Sequence, residues 1–114
     1  MPKIIAIITL FYIGISQAAA SYIPKIGDIL LQDLECWSCH LIEAQENSMY
    51  SHMGVIIENG KKIKVLEALG SVHALSLEKF MKRNLGVGRV KVLRFENLNN
   101  KQRDALSSLG QSLI

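Results

Sequence analysis

The spacing of apolar and polar positions divides the chain into short alternating elements. Gly27-Asp28 precedes Ile29-Leu30-Leu31-Gln32, an apolar run of the kind that forms a buried strand. From Cys36 to Asn47 a weak helical stripe of Leu41, Ile42, Ala44 and Gln45 predicts a helix that Ser38 is placed to cap. Two runs rich in β-forming residues follow, His52–Glu58 and Lys61–Ala68, divided by Asn59-Gly60. Asn-Gly between such runs predicts a hairpin, because both residues tolerate the positive φ of a type I′ turn. Ser76 opens a short helix to Asn84 with Leu77, Phe80 and Met81 inward, and Gly86 and Gly88 break it. Val90, Val92, Leu93 and Phe95 make a further strand. Asn99 starts a last helix with Gln102 at its third position, a capping-box pattern, and with Ala105, Leu106, Leu109 and Leu113 on its apolar side. Strand, helix, hairpin, helix, strand and helix in that order read as an α+β fold.

Composition narrows the class. A chain of 114 residues that is 49% hydrophobic and 20% charged fits one globular domain without repeats or linkers. Its formal net charge of +3 is unclustered, since the densest stretch is Lys61-Lys62-Ile63-Lys64. A nucleic-acid-binding domain carries a stronger basic stripe, so no nucleic-acid partner is expected. The first 20 residues read as a secretory signal: Lys3, an apolar stretch Ile4–Ile15, then Ala18-Ala19-Ala20 before Ser21. That apolar stretch is about 12 residues, short of the roughly 20 that span a bilayer, so no stable membrane span is expected once the signal is cleaved. The expected product is a single domain over residues 21–114 in the periplasm or outside the cell, where disulfides persist.

The hairpin carries candidate chemistry. With Asn59 and Gly60 as the two turn residues, Glu58 pairs with Lys61, and six residues further along each strand His52 stands opposite Glu67. Opposed residues share a face with Cβ atoms about 4.5–5.5 Å apart, so the carboxylate can hold one imidazole nitrogen and leave the other as a base. Gly54, on the same face, leaves room for a substrate or another backbone. The competing reading is a structural ion pair at a sheet end. A bulged turn would move the pairing by one residue.

The segments "GDILLQ" (27–32), "YSHMGVI" (50–56), "VLEALG" (65–70) and "SLEKFMKRN" (76–84) together resemble the permuted papain-like cysteine amidases of the YaeF/YiiX type, which are related to NlpC-type peptidases. The likeness covers about residues 24–96. It implies a papain-like α+β fold in which His52 is the catalytic base and Glu67 the acid that orients it. The substrate it implies is a peptide, amide or lipid ester of the cell envelope, and it calls for no cofactor and no metal. In such a site a thiolate attacks the carbonyl while the histidine shuttles the proton. The resemblance places the nucleophilic cysteine in a Tyr-Cys-Ser-Glu-like segment near the C-terminus. This chain has no cysteine beyond Cys39. The reading that follows is a truncated or degenerate relative; a second chain completing the site, or Cys36 or Cys39 in the nucleophile's place, are the alternatives.

Cys36-Trp37-Ser38-Cys39-His40 leaves several readings open. As Cys-x-x-Cys-His it matches covalent c-type haem attachment, with His40 as one axial ligand and Met49, Met53 or Met81 as another, and so an electron carrier. As Cys-x-x-Cys at a helix start it suits thiol exchange. Zinc would need a fourth ligand beyond Cys36, Cys39 and His40. A structural disulfide or two packed thiols is the plain alternative. His73 reads as a surface or packing histidine between a strand and a helix cap, Tyr50 and Ser51 as walls of a pocket beside His52, and Trp37 as a half-exposed packing residue. A non-catalytic envelope-binding module is the further alternative to an enzyme.

Overall fold

A computed structural model describes residues 21–84 and 90–114 and begins its regular structure with strand β1 (Ile29–Gln32). The expected signal over residues 1–20 and the helix-breaking glycines Gly86 and Gly88 lie outside the described residues. After β1 come α1 (Cys39–Glu46), β2 (His52–Asn59), β3 (Ile63–Leu69), β4 (Ser71–Ser76), α2 (Leu77–Lys82), β5 (Lys91–Leu93) and α3 (Asn100–Ser112). The strands form one sheet in the order β4-β3-β2-β1-β5, antiparallel at every pairing. The α+β class follows directly from this arrangement.

The hairpin is not the two-residue turn that Asn59-Gly60 predicts. Asn59 pairs with Ile63, which leaves Gly60, Lys61 and Lys62 in the turn. Neither Asn59 nor Gly60 takes the positive φ that a type I′ turn requires. The wider turn moves the pairing by three residues, so that Glu58 meets Lys64 rather than Lys61. A bulge between Ile56 and Glu58 then takes one residue back, and Ile56 pairs with Val65. The net slip is two. Side chains alternate faces with period two, so an even slip returns His52 and Glu67 to one face, whereas the turn alone would have put them on opposite faces.

Strand β4 has no counterpart in the sequence reading. The chain reverses at Gly70, whose φ of +76° suits glycine, and Ser71–Ser76 then pairs along β3 from Leu69↔Ser71 to Lys64↔Ser76. Glu67 is directly opposite His73 in that ladder.

Leu30, Ile56, Val65 and Phe80 form the core, with Ile63, Leu75, Leu77, Val90 and Val92 packed against it. Ser76 caps α2 by accepting the Lys79 N–H, as its sequence position predicts, and the helix drops Phe80 onto the sheet while Met81 stays exposed. Gly54 is buried under this ring: a Cβ there would fall inside van der Waals contact with Val65 and lie 2.8 Å from Phe80 Cε2. The space expected at Gly54 for a substrate is therefore filled by the protein's own Phe80. Helix α3 opens with the predicted capping box, Asn99 with Gln102, and approaches Ile57 of β2 through Gly110. Leu109 and Leu113 of its expected apolar side remain exposed, as does Leu41 of α1.

Candidate functional site

Glu67 carries the site. Its side chain is fully buried, and its two oxygens are shared among three donors. His52 Nε2 donates to Oε2 at 2.8 Å, Arg83 Nη2 donates to the same oxygen, and His73 Nε2 donates to Oε1 at 2.7 Å. Burial opposes the charge on Glu67, but the hydrogen bonds from Arg83, His52 and His73, with the Arg83 charge, outweigh it and hold the carboxyl below its ordinary value.

Each partner arrives from a different element. His52 is the first residue of β2, where it pairs with Gln32 of β1, and Glu67 reaches it along the diagonal of the β2–β3 pair. Gln32 is itself buried and donates from Nε2 to the Phe80 carbonyl at 2.9 Å, which ties the end of β1 to α2. Ser51 just before His52 is held from both sides: its N–H donates to the Gln32 carbonyl at 3.1 Å, and its hydroxyl accepts the Leu34 N–H at 3.0 Å. Arg83 sits at the C-terminal cap of α2 and lays its guanidinium over the Phe80 ring, 5.6 Å from the centroid.

His52 and Glu67 meet through their side chains, as the hairpin predicts, though not as directly opposed residues. His73, expected as a surface or packing histidine, packs one ring edge against Glu67 with its side chain still 38% exposed. His73 Nδ1 lies 3.0 Å from the Ser71 carbonyl while Nε2 faces Glu67, so both ring nitrogens point at acceptors. Arg83, which no sequence pattern marks, is the third partner of Glu67. The signal for His73 was available in Gly70, a reversal point from which Glu67 and His73 are equidistant along the chain.

His52 is nearly buried, 11% exposed, and its Nδ1 makes no hydrogen bond among the described residues. A cavity of about 470 Å³ opens beside it, walled by Leu31, Ile42, Glu46, Tyr50, Ser51 and Met53. Tyr50 and Ser51 thus take the pocket-lining positions expected of them. The arrangement can hold an imidazole in one orientation and present it to that cavity as a proton acceptor.

Cys36 and Cys39 are joined in a disulfide with Cα atoms 5.0 Å apart, which leaves the chain without a free thiol. This is the plain reading of the pair. The stretch does not fit covalent haem: both sulfurs are bonded to each other, and the His40 side chain is 75% exposed beside Glu43 rather than turned into a cavity. Trp37, expected half-exposed, is 90% exposed. No group of three or more His, Cys, Asp or Glu side chains placed to hold a metal ion occurs among the described residues, and no helix among them is long and apolar enough to cross a membrane.

No protein-family model and no curated protein matches this chain.

Proposed function

We propose that this chain supplies the histidine and acid of an exported hydrolase of the permuted papain-like thiol amidase kind, acting on amide or ester bonds of cell-envelope material. The observation that carries the reading is the 2.8 Å bond from His52 Nε2 to buried Glu67 beside an open cavity. A carboxylate on one ring nitrogen fixes the imidazole, and the other nitrogen is left to take a proton from an attacking nucleophile. Cys36 and Cys39 are bonded to each other, so the reading does not take its nucleophilic thiol from this pair.

The test supplies that thiol. In a Cys36→Ser/Cys39→Ser background, where no disulfide chemistry intrudes, the folded chain is mixed with an N-acyl amino-acid p-nitrophenyl ester and a small monothiol. The expected result is thiolysis accelerated about tenfold or more over thiol alone, and lost on His52→Ala, because positioned bases contribute at this scale and above. Equal rates with and without His52 in folded protein would overturn the reading and leave a non-catalytic envelope-binding module.

A further inference from the structure

We infer that the Cys36–Cys39 bridge is a redox-active disulfide that exchanges with the thiols of a partner protein. It does not depend on the Glu67 site. The two sulfurs are unequally placed: Cys36 is exposed, next to the fully projecting Trp37, while Cys39 is 2% exposed at the first position of α1. An incoming thiolate therefore meets Cys36, and Cys39 is the sulfur left behind.

The local structure favours that leaving group. Ser38 stands at the N-cap of α1 but makes no side-chain capping bond; its hydroxyl lies 3.7 Å from Cys36 Sγ instead. The first turn is thus without a side-chain cap, the Cys39 N–H turning back to the Cys36 carbonyl, and the partial positive charge of the helix start favours a thiolate on Cys39. Glu43 follows one turn later on the same side of α1, with Oε1 buried and without a hydrogen-bond partner among the described residues.

The bridge is also a poor staple. Disulfide stabilisation grows with the length of chain enclosed, and this one joins residues only three apart in sequence. It restrains a turn that the Cys39 N–H to Cys36 carbonyl bond, at 3.1 Å, already closes.

The exchange balances as follows. A partner thiolate attacks Cys36 Sγ; the new sulfur–sulfur bond forms as the Cys36–Cys39 bond breaks, and its electron pair goes to Cys39 as thiolate. A second partner thiolate then attacks the partner sulfur of the mixed disulfide and releases Cys36. The partner dithiol is oxidised to a disulfide, its two protons pass to Cys36 and Cys39, and this chain is reduced by two electrons. A protein disulfide restores the bridge by the reverse steps.

The experiment uses the full processed chain with reduced glutathione as probe, followed by alkylation of free thiols and mass analysis. The bridge in the folded chain is expected to open about tenfold faster than the same bridge in urea, because the stabilised leaving thiolate exists only when α1 is formed. Cys39→Ser, given oxidised glutathione, is expected to form a mixed disulfide on Cys36 with release of one reduced glutathione, and to hold it because no second thiol of the chain displaces it. A bridge that opens more slowly in the folded chain than in urea would overturn the inference and make it a structural clasp. That comparison needs no variant, so a misfolded mutant does not affect it.

Discussion

Glu67 lies diagonally across the β2–β3 pair from His52, two residues out of direct opposition, and their side chains still meet at 2.8 Å. The long reach of imidazole and carboxylate spans the diagonal, which in a sheet is within range of large side chains. Glu67 meets His73 directly on its other side, so one buried carboxylate ties together β2, β3, β4 and the end of α2.

Replacing Glu67 by Gln removes the charge that Arg83 faces and leaves one amide to serve three donors. Because the side chain is wholly buried while Arg83 is about one-third exposed, the expected loss is about 2–3 kcal/mol, less than for a fully enclosed pair. Urea unfolding of Glu67→Gln against the parent chain measures it.

Acid should act on the same groups. Glu67 and Asp28 are both held below their ordinary values of 4.5 and 3.8, against burial, by the hydrogen bonds of Arg83 and Arg94 among others. Each contributes stability that is complete above its unfolded value and is lost as pH falls through its lower folded value. Unfolding free energy is therefore expected to fall steeply below pH 4.5, and with a shallower slope in Glu67→Gln. Equal slopes in the two proteins would show that Glu67 carries none of the acid sensitivity.

Gly54→Ala adds a methyl where Val65 and Phe80 already touch the backbone. Overpacking at such a site costs about 1–3 kcal/mol. A melting temperature unchanged from the parent would mean that Phe80 and α2 move aside freely. A paired Phe80→Leu substitution is expected to recover part of the loss.

Asp28 is the second buried carboxylate. It accepts from Arg94 Nε and Nη2 at 2.7 Å each, from the Tyr22 hydroxyl at 2.7 Å and from the Lys25 N–H at 2.8 Å. The residues before β1 are thereby fastened to the chain just after β5. Asp28→Asn is expected to cost about 2–3 kcal/mol and to speed hydrogen exchange at residues 22–28 ahead of the rest. Uniform exchange across the chain would argue against such a local clasp.

Much of the local structure was legible in residue order. Ser76 and Asn99 mark helix starts because a short polar side chain can reach an amide two or three residues on, and both caps form. β1 and the two strands of the hairpin follow from their apolar runs. Strand β4 was not legible: Ser71-Val72-His73-Ala74 is weakly apolar and half exposed, and it is a strand because β3 offers a free edge to pair with. The helical stripes of α1 and α3 predicted burial that α1 and α3 largely do not have, since periodicity describes a face without saying what covers it.

The site divides along the same line. Local chemistry in the sequence determined that His52 and Glu67 sit on neighbouring strands of one hairpin, since a β-run, a Gly-containing turn and a second β-run leave few other arrangements. Only the tertiary structure decided that they share a face, because the parity of the register depends on a three-residue turn and a compensating bulge at Ile57, which packs against Gly110 of α3. It alone also brought in His73 and Arg83, through an edge strand and a helix end that pairing and packing position but no local pattern announces.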